Sequence, residues 1–317
     1  MKKYDVVTSG YVSMDRMIKV QSAVKPGFTS IIQNADNAKI YYGGCSTNIA
    51  YALARLNKKA LPILRVGADY KDIGFYDFLK NSGVCMEGMS VVEHDMTSNC
   101  YLIENLADNQ HVTIFYPGAM DGKYAVEMDD EFFQNARLGI ITVGSKEDNT
   151  EFFAKCKKYG LPLVFGMKAD FDAFPEAFLN ELLYYSDIIF TNEVERKAIE
   201  KCFGLECITR LLHEGNAKLI VTTLGKEGSL VYRLKDGHIQ ECRVGILPAD
   251  RIVDSTGSGD AYIAGFLYGY LNGFTDSESC MCGSIVSSYV IREMGCVTNV
   301  PDEATLLKEL EEMRKQH

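Results

Sequence analysis

The feature that most constrains the fold is a regular alternation of strand-forming and helix-forming segments that begins near residue 137. Short runs of apolar and β-branched residues are separated there by longer segments of helical character. These runs cover residues 138–144, 161–166, 186–192 and 218–225. Because parallel strands need long crossover connections, which are usually helices, the alternation predicts a mostly parallel sheet with helices on both faces. Strand-like runs at 4–10 and 60–69 extend the pattern, so we expect a three-layer α/β/α fold.

Two segments, about 11–42 and 86–118, break this rhythm. Both show alternation of polar and apolar residues without a helical period, and the step ADN at 107–109 is typical of a hairpin turn. We therefore predict that the two segments join into a small β-sheet, a lid, which projects from a single domain spanning residues 1–317.

Helices are expected on both sides of these strand segments. One covers 45–56, with Ser46 or Thr47 as its N-terminal cap, and a second covers 75–84 and ends at Gly83. The C-terminal part of the chain is mostly helical. Helices are predicted there over residues 257–272, 276–293 and 302–315.

Charge, hydropathy and cysteine usage exclude several classes of protein. The formal net charge of −10 argues against nucleic-acid binding, which needs clustered Lys and Arg. No run approaches the roughly 18 consecutive apolar residues of a membrane span, and the N-terminal apolar stretch is too short for a signal-peptide core. The ten cysteines are scattered and form no C-x-x-C pair, which suits a reducing compartment. We therefore expect a cytoplasmic protein that binds neither nucleic acid nor membrane.

The motif that carries the most chemical information is DSTGSGDAYIAGF, residues 254–266. A Walker A loop needs a lysine after its second glycine, and this stretch has none. The dinucleotide-binding fingerprint is a poor match because Tyr262 stands where it needs a glycine. One remaining interpretation is purely structural, a helix start capped by Ser255, Thr256 or Ser258.

The other remaining interpretation is an anion-binding turn with a base beside it. The first N–H groups of a helix lack partners, and the helix dipole attracts negative charge. Gly257, Ser258 and Gly259 have small side chains, so a phosphate can approach their N–H groups. Asp260 would stand in the first helical turn beside the anion, where it can accept a proton from a hydroxyl that attacks phosphorus.

The same stretch resembles the C-terminal signature of the ribokinase family, the PfkB-type sugar and nucleoside kinases. Other segments resemble motifs of that family, in the family's order, over essentially the whole chain. They are GYVSMDR (10–16), GGCSTNIAYALARLN (43–57), RVGADYKDIGFYDFLKNSGV (65–84), TNEVE (191–195), VTTLGKEGSLVY (221–232) and GCVTNVP (295–301). The resemblance implies a ribokinase-like fold with a β-sheet lid and an ATP-dependent kinase that phosphorylates an alcohol group.

On the side of the phosphate donor, the resemblance implies that Asp260 is the general base and that residues 257–259 form an anion hole. Asn192 and Glu195 would organise Mg²⁺, largely through water. The structural alternatives are a plain turn after the strand at 218–225 and a first-turn helix glutamate at position 195. The residues that would border ATP are Asn192, Thr223, Gly225 and Gly228.

On the side of the acceptor, the resemblance implies that Asp15 and Asn48 hydrogen-bond ring hydroxyls. Gly43 and Gly44 would leave room for the ring. The resemblance also implies a monovalent-cation site, expected to take K⁺. The matching positions are Asp254, Thr256, Gly295 and Asn299.

The identity of the acceptor is predicted from residues 96–120, which resemble the lid segment of bacterial and archaeal adenosine or nucleoside kinases. The resemblance implies the 5′-hydroxyl of an adenosine-like nucleoside as acceptor. A free sugar such as ribose or fructose, or an inactive nucleotide- or sugar-binding regulator of the same fold, are the alternatives. Rings that would stack on a base, or else only pack the lid, belong to Phe115, Tyr116, Tyr41 and Tyr42.

Assembly and motion are also predicted from the lid. A small sheet has exposed edges, and relatives often pair such sheets, so we expect a homodimer through the lid. The lid should close over the acceptor and exclude water. Candidate hinges are Gly10, Gly43, Gly44 and Gly118. The chain departs from the family pattern at Gly166-Met167, where many relatives have Asp-Pro, and at the segment CST, residues 45–47.

Overall fold

A computed structural model describes residues 2–108, 110–167 and 171–315. Its strands are β1 (Tyr4–Ser9), β2 (Ser13–Val20), β3 (Tyr41–Gly43), β4 (Ala60–Gly67), β5 (Met89–Val92), β6 (Asn99–Asn105), β7 (His111–Tyr116), β8 (Ala136–Ile141), β9 (Leu163–Gly166), β10 (Ile188–Asn192), β11 (Leu219–Thr223), β12 (Ser229–Lys235) and β13 (His238–Val244). Its α-helices are α1 (Cys45–Arg55), α2 (Phe75–Ser82), α3 (Asp130–Gln134), α4 (Lys146–Tyr159), α5 (Glu176–Tyr185), α6 (Glu193–Cys202), α7 (Leu211–Glu214), α8 (Ser258–Leu271), α9 (Asp276–Val290) and α10 (Glu303–Arg314).

One large sheet of nine strands forms the centre, in the order β13-β12-β11-β10-β9-β8-β1-β4-β5. The strands from β11 to β5 run parallel, and β12 and β13 add an antiparallel hairpin at one edge. The predicted α/β fold with a mostly parallel sheet is therefore confirmed. In such sheets the carboxyl ends of the parallel strands share one edge, where ligands bind.

Helices cover both faces of this sheet because its strands are apolar on both sides. In β1, Val6 packs into the apolar cluster that contains residues of α1, α8 and α9. Its neighbour Val7 packs into the opposite cluster, with residues of α4, α5 and α6. Both valines are completely buried. A strand that is buried on both faces has an uninterrupted apolar sequence, which is the pattern that predicted these strands.

A second sheet of four strands, in the order β3-β2-β6-β7, forms the lid. Strands β2 and β6 are parallel, whereas β3 and β7 pair antiparallel with β2 and β6, respectively. Residue 109, in the predicted hairpin turn between β6 and β7, lies outside the described residues. The lid is therefore a separate small sheet, as expected.

The predicted extent of the lid segments was too large. Strand β5 pairs with β4 in the large sheet, so the segment 86–98 contributes no strand to the lid. Residues 21–40, all of them described, contribute only an isolated bridge between Val20 and Ile32. Alternation within a segment shows that it is extended, but the pairing partner is set by tertiary contacts.

Helix boundaries agree with the local sequence at α2 and differ at α1. Helix α2 ends where Gly83 adopts the left-handed conformation, with φ of 84°. Helix α1 follows Gly44, and Ser46 and Thr47 are buried inside it, so neither side chain caps it as predicted. A β-carbon at position 44 would overlap the backbone of Tyr11 and Val12, so this close approach fixes where the helix starts.

Among the described residues, no helix combines the length and the apolarity that crossing a bilayer requires.

Candidate active site

The aspartate of the DSTGSGDAYIAGF motif lies in the first turn of α8. Asp260 is 2% exposed, and the helix starts at Gly257, which has φ of 78°. A β-carbon at position 257 would lie 2.6 Å from Cβ of Cys296, so only glycine fits this turn. No side chain of the described residues caps this helix end, so the predicted capping by Ser255, Thr256 or Ser258 is absent.

Backbone N–H groups at the start of α8 are available to a ligand, except that of Ser258. The amide of Ser258 donates to the carbonyl of Ser255 at 3.2 Å, so it already belongs to the turn. Gly259 borders two cavities, one of them shared with Ser258 and the other with Asp260. A negatively charged group at this point would gain from the positive end of the helix dipole.

The predicted acceptor-binding asparagine touches the predicted base directly. Asn48, buried in α1, donates from Nδ2 to Oδ2 of Asp260 at 2.8 Å. Its other polar atom, Oδ1, is buried and has no hydrogen-bond partner among the described residues. A buried carbonyl oxygen without a donor is unfavourable unless a ligand supplies one. The position of Asn48 therefore suits a hydroxyl group that donates to Oδ1 beside Asp260.

The predicted acceptor-binding aspartate lies on the lid. Asp15, on β2, is 5% exposed and accepts a hydrogen bond from the hydroxyl of Ser13. Burial raises the pKa of Asp15 to about 6; the Ser13 bond opposes this rise, and the charges of Asp254 and Asp260 add to it. Gly43 packs against this carboxylate, where a β-carbon would overlap it. Asp15 therefore lies close enough to Asp254 and Asp260 for their charges to act on it.

A cavity of about 420 Å³ opens beside the start of α8. Thr223, Gly225 and Gly228, the residues expected to border ATP, line it. The opposite wall is the segment 245–252, which we did not anticipate from the sequence. Its Leu247 amide donates to Oγ of Ser284 at 2.7 Å, which attaches the segment to α9. The wall is rich in apolar side chains, which suit the flat faces of a nucleotide base.

A smaller cavity of about 70 Å³ contains the predicted magnesium-binding residues. Asn192 and Glu195 form a capping box at the start of α6, with two reciprocal hydrogen bonds of 2.8 Å. The structural alternative for Glu195 is therefore realised, yet the same buried carboxylate lines a cavity that Asp260 also lines. Gly166 and Met167, the departure from the family pattern, line this cavity too.

The four positions matched to a monovalent-cation site lie in two adjoining loops. The Asp254 carboxylate accepts from the amide of Thr256 at 2.9 Å and from the amide of Gly295 at 3.0 Å. The Asn299 side chain donates to the carbonyl of Tyr289 at 2.7 Å. The side chains of Asp254 and Asn299 therefore hold the loops together. Within the described residues, no cluster of three or more His, Cys, Asp or Glu side chains could hold a metal ion.

The aromatic residues considered for stacking on a base occupy different environments. Phe115 is 36% exposed, and its ring centroid lies 4.8 Å from that of Tyr11. Tyr42 instead stacks against Phe78 at 4.5 Å and donates to the carbonyl of Ile73, so it packs the lid against α2. Tyr116 donates to Asp95. We therefore retain Phe115 as the aromatic candidate and assign Tyr42 to packing.

Comparison with known proteins identifies the chain's relatives. Residues 3–303 match the family model described as pfkB family carbohydrate kinase. A nucleoside kinase of Methanocaldococcus jannaschii is 29% identical over 99% of this chain and 99% of its own length. A crystal structure of the nucleoside kinase of M. jannaschii, an archaeal member of the ribokinase family, superposes with a TM-score of 0.85 at 24% identity and covers 98% of this chain and 99% of its own.

A second solved structure carries a ligand. The Burkholderia thailandensis nucleoside kinase in complex with inosine superposes with a TM-score of 0.82 at 22% identity, covering 97% of this chain and 98% of its own. These structural likenesses support the ribokinase-like fold, including its lid. With the family model matching residues 3–303, the chain belongs to the pfkB family of carbohydrate kinases.

Proposed function

We propose that the protein is an ATP-dependent kinase that phosphorylates the 5′-hydroxyl of a nucleoside. The observation that carries the proposal is the contact between Asn48 and Asp260, which joins an acceptor-binding amide to a base at a helix start. The cavity beside Gly259 provides a place for the nucleotide donor on the other side of that base. Membership of a kinase family and the names of the relatives point to the same chemistry.

The reaction follows from these positions. Asp260 accepts the proton of the acceptor hydroxyl, whose oxygen forms a bond to the γ-phosphorus of ATP while the bond between that phosphorus and the bridging oxygen of ADP breaks. The products are a phosphate ester, ADP and a proton. The start of α8 stabilises the negative charge on the transferred phosphoryl group. Exclusion of water by the lid would prevent hydrolysis of ATP.

Two cations are part of the proposal. Glu195 and Asn192 offer hard oxygen ligands beside Asp260, which fits a Mg²⁺ ion bound largely through water. When bound, Mg²⁺ would neutralise charge on the phosphates of ATP. The loops that Asp254 joins offer backbone carbonyl oxygens, which fit K⁺. We propose Thr256, Gly295 and Asn299 as the other residues of that site.

A nucleoside fits the lid better than a free sugar, the second candidate acceptor. A cavity of about 390 Å³ lies between the lid and the body of the protein. Residues 17–19 of β2 line it on the lid side, and Asp254 and Met294 line it on the body side. A free sugar held by Asp15 and Asn48 would leave this space empty, whereas a nucleoside base would occupy it. We regard the inactive regulator as the weakest alternative because Asp260, Asn48 and Asp15 lie together.

The decisive experiment compares the wild type with Asp260→Asn. Release of ADP is measured with a panel of nucleosides and free sugars, with and without K⁺. We expect turnover with nucleosides, and a loss of at least about a thousandfold in the variant with ADP binding retained. Asp236→Asn, in an exposed hairpin turn, is the control. Near-normal turnover in Asp260→Asn would refute the base assignment, and exclusive activity on a free sugar would refute the nucleoside.

The outer face of the lid supports the proposed homodimer. Tyr101 pairs with Ile114 and Ile103 pairs with Val112 across β6 and β7, and Ile114 is 54% exposed. Burial of such a face against a second copy would remove apolar surface from water. Light scattering should therefore give twice the monomer mass, and Ile114→Lys should give a monomer. A monomeric wild type would contradict the proposal.

The proposal also includes closure of the lid about glycine hinges and a cytoplasmic location. Gly10 precedes β2 and Gly118 follows β7, so the predicted hinges lie where the chain enters and leaves the lid. Gly43 and Gly44 lie between β3 and α1. Structures with and without bound nucleoside should differ in lid angle if the lid closes. The ten cysteines are all free, which suits the proposed cytoplasmic location.

A further inference from the structure

The inner face of the lid presents its side chains in three successive rows. Pairing of β2 with β6, and of β6 with β7, places one residue from each strand in every row. Because side chains alternate between the two faces of a strand, rows that are two residues apart share one face. The rows are Asp15, Cys100 and Phe115; then Met17, Leu102 and Thr113; then Lys19, Glu104 and His111.

A cavity follows these rows away from the active site. Its lid wall includes Met17 and Leu102 of the middle row and all three residues of the outer row, and Asp254 and Met294 belong to the opposite wall. At about 3.3 Å per residue, successive rows are about 7 Å apart, so the outer row lies about 13 Å along the strand from Asp15. Lys19, Glu104 and His111 of the outer row all line this space.

The three rows match the three parts of a nucleoside in order, which are the sugar, the face of the base and the edge of the base. The row of Asp15 offers a buried carboxylate to sugar hydroxyls, and Met17 and Leu102 of the middle row offer apolar side chains to the face of a base. The outer row offers a cation, a carboxylate and an imidazole to the edge of a base. A free sugar would use only the first of these rows.

The outer row has a defined order of donors and acceptors. Nζ of Lys19 lies 3.4 Å from Oε2 of Glu104, and His111 pairs with Glu104 on the other side. Lysine only donates, ionised glutamate only accepts, and neutral histidine can do either. The outer row therefore presents a donor at Lys19, an acceptor at Glu104 and, at His111, a group that can also accept.

We propose that this row selects guanosine among the nucleosides, an inference that rests on the proposed nucleoside kinase activity. The edge of guanine presents O6, N1–H and the 2-amino group, which are an acceptor and two donors in the same order. Lys19 donates to O6, and Glu104 accepts from N1–H and shares the 2-amino group with His111. Adenine presents one amino donor and one ring acceptor next to a C–H, so it leaves one group of the row unmatched. Hydrogen bonds to charged groups are the stronger ones, which makes this difference selective.

The test measures kcat/KM for guanosine, inosine, adenosine, cytidine and uridine with the full-length protein. Inosine differs from guanosine only by the missing 2-amino group, so the ratio of the two isolates one contact. We expect guanosine to exceed inosine about ten- to a hundredfold in the wild type. In Glu104→Gln this ratio should fall severalfold, because the charged acceptor of the 2-amino group is lost and His111 remains. In Lys19→Met both nucleosides should lose equally, because both carry O6.

Controls separate recognition of the base from folding and from the proposed function. Side chains of Lys19 and Glu104 are 35% and 40% exposed, so both variants should unfold at the wild-type temperature. Glu241→Gln, on the far edge strand β13, should change no kinetic ratio. Adenosine or a pyrimidine nucleoside used as well as guanosine, or an unchanged guanosine-to-inosine ratio in Glu104→Gln, would overturn the inference while the nucleoside kinase stands. Turnover of free sugars alone would overturn the proposed function, and this inference with it.

Discussion

Replacement of Asp15 by Asn should make the protein more stable and less active at neutral pH. The carboxyl group is buried, and its pKa is raised from 3.8 to about 6, mainly by that burial. The Ser13 hydroxyl partly offsets the rise, whereas the nearby charges of Asp254 and Asp260 add to it. Asparagine has the same shape and keeps an oxygen that accepts the bond from Ser13. The change therefore removes the charge and little else.

The magnitude follows from the difference between the two pKa values. The unfolded chain loses this proton near pH 3.8 and the folded chain near pH 6, so ionisation favours the unfolded state as pH rises between these values. At about 1.4 kcal/mol per pH unit, the difference corresponds to about 3 kcal/mol of lost stability above pH 6. With an unfolding entropy of about 2.1 cal/mol/K per residue over 317 residues, this is about 4 °C in Tm. Below about pH 3, where the group is protonated in both states, the wild type and the variant should be equally stable.

Urea and thermal unfolding between pH 4 and pH 8 measure the effect. Asp15→Asn should exceed the wild type by only about 0.5 kcal/mol at pH 4 and by about 3 kcal/mol at pH 8. Asp236→Asn is the matched control, because Asp236 lies in an exposed turn with φ of 51°, which asparagine tolerates. The KM for the acceptor should rise about tenfold or more, since a carboxylate binds hydroxyls more strongly than an amide does. A stability difference that is absent, negative or independent of pH would refute the reasoning.

Three other substitutions test the active site and its support. Gly257→Ala adds a β-carbon 2.6 Å from a neighbouring one at φ of 78°, so it should cost over about 2 kcal/mol in urea unfolding; Gly273→Ala, at φ of 77° with no atom within 4 Å, should lose only about 1 kcal/mol, and equal losses would contradict the contact. Asn48→Ala should lower kcat/KM for the acceptor about ten- to a hundredfold while calorimetry shows unchanged ADP binding; weakened ADP binding would argue for a general disruption. Arg65→Met leaves the buried Asp148 without the guanidinium group that donates to it at 2.7 Å, so stability should fall by about 3–5 kcal/mol; a loss under about 1 kcal/mol would show that this pair is not needed.

The large sheet was predictable because its signal is local. Strands that are buried on both faces must be apolar at consecutive positions, and helices between them must follow the 3.6-residue period. The lid was predictable only in part. Both Met89–Val92 and the true lid strands look like exposed strands, and β5 joins the large sheet through its pairing with β4. The short helices α3 and α7 were missed because helices of four or five residues have too few turns to show a period.

The candidate site shows the same division. Glycines and an aspartate in a fixed order marked the start of α8, and the motifs with Asp15 and Asn48 marked the acceptor side. The wall at 245–252 carried no recognisable motif, because an apolar cavity wall can be built from many different sequences. The position of Glu195 in the first turn of a helix was foreseen as an alternative. Its capping box with Asn192 and its place in the small cavity were seen only in the structure.

By itself, the sequence determined the α/β architecture, the glycine-rich turn before α8 and the family motifs, because each depends on residues close together in the chain. Tertiary structure alone decided that Asn48 touches Asp260 and that its Oδ1 is left without a partner, since these residues are 212 positions apart. It also decided the rows of the lid, because register between β2 and β6 brings Lys19 beside Glu104. Contacts between distant segments depend on how elements pack, and packing is not encoded in any one segment.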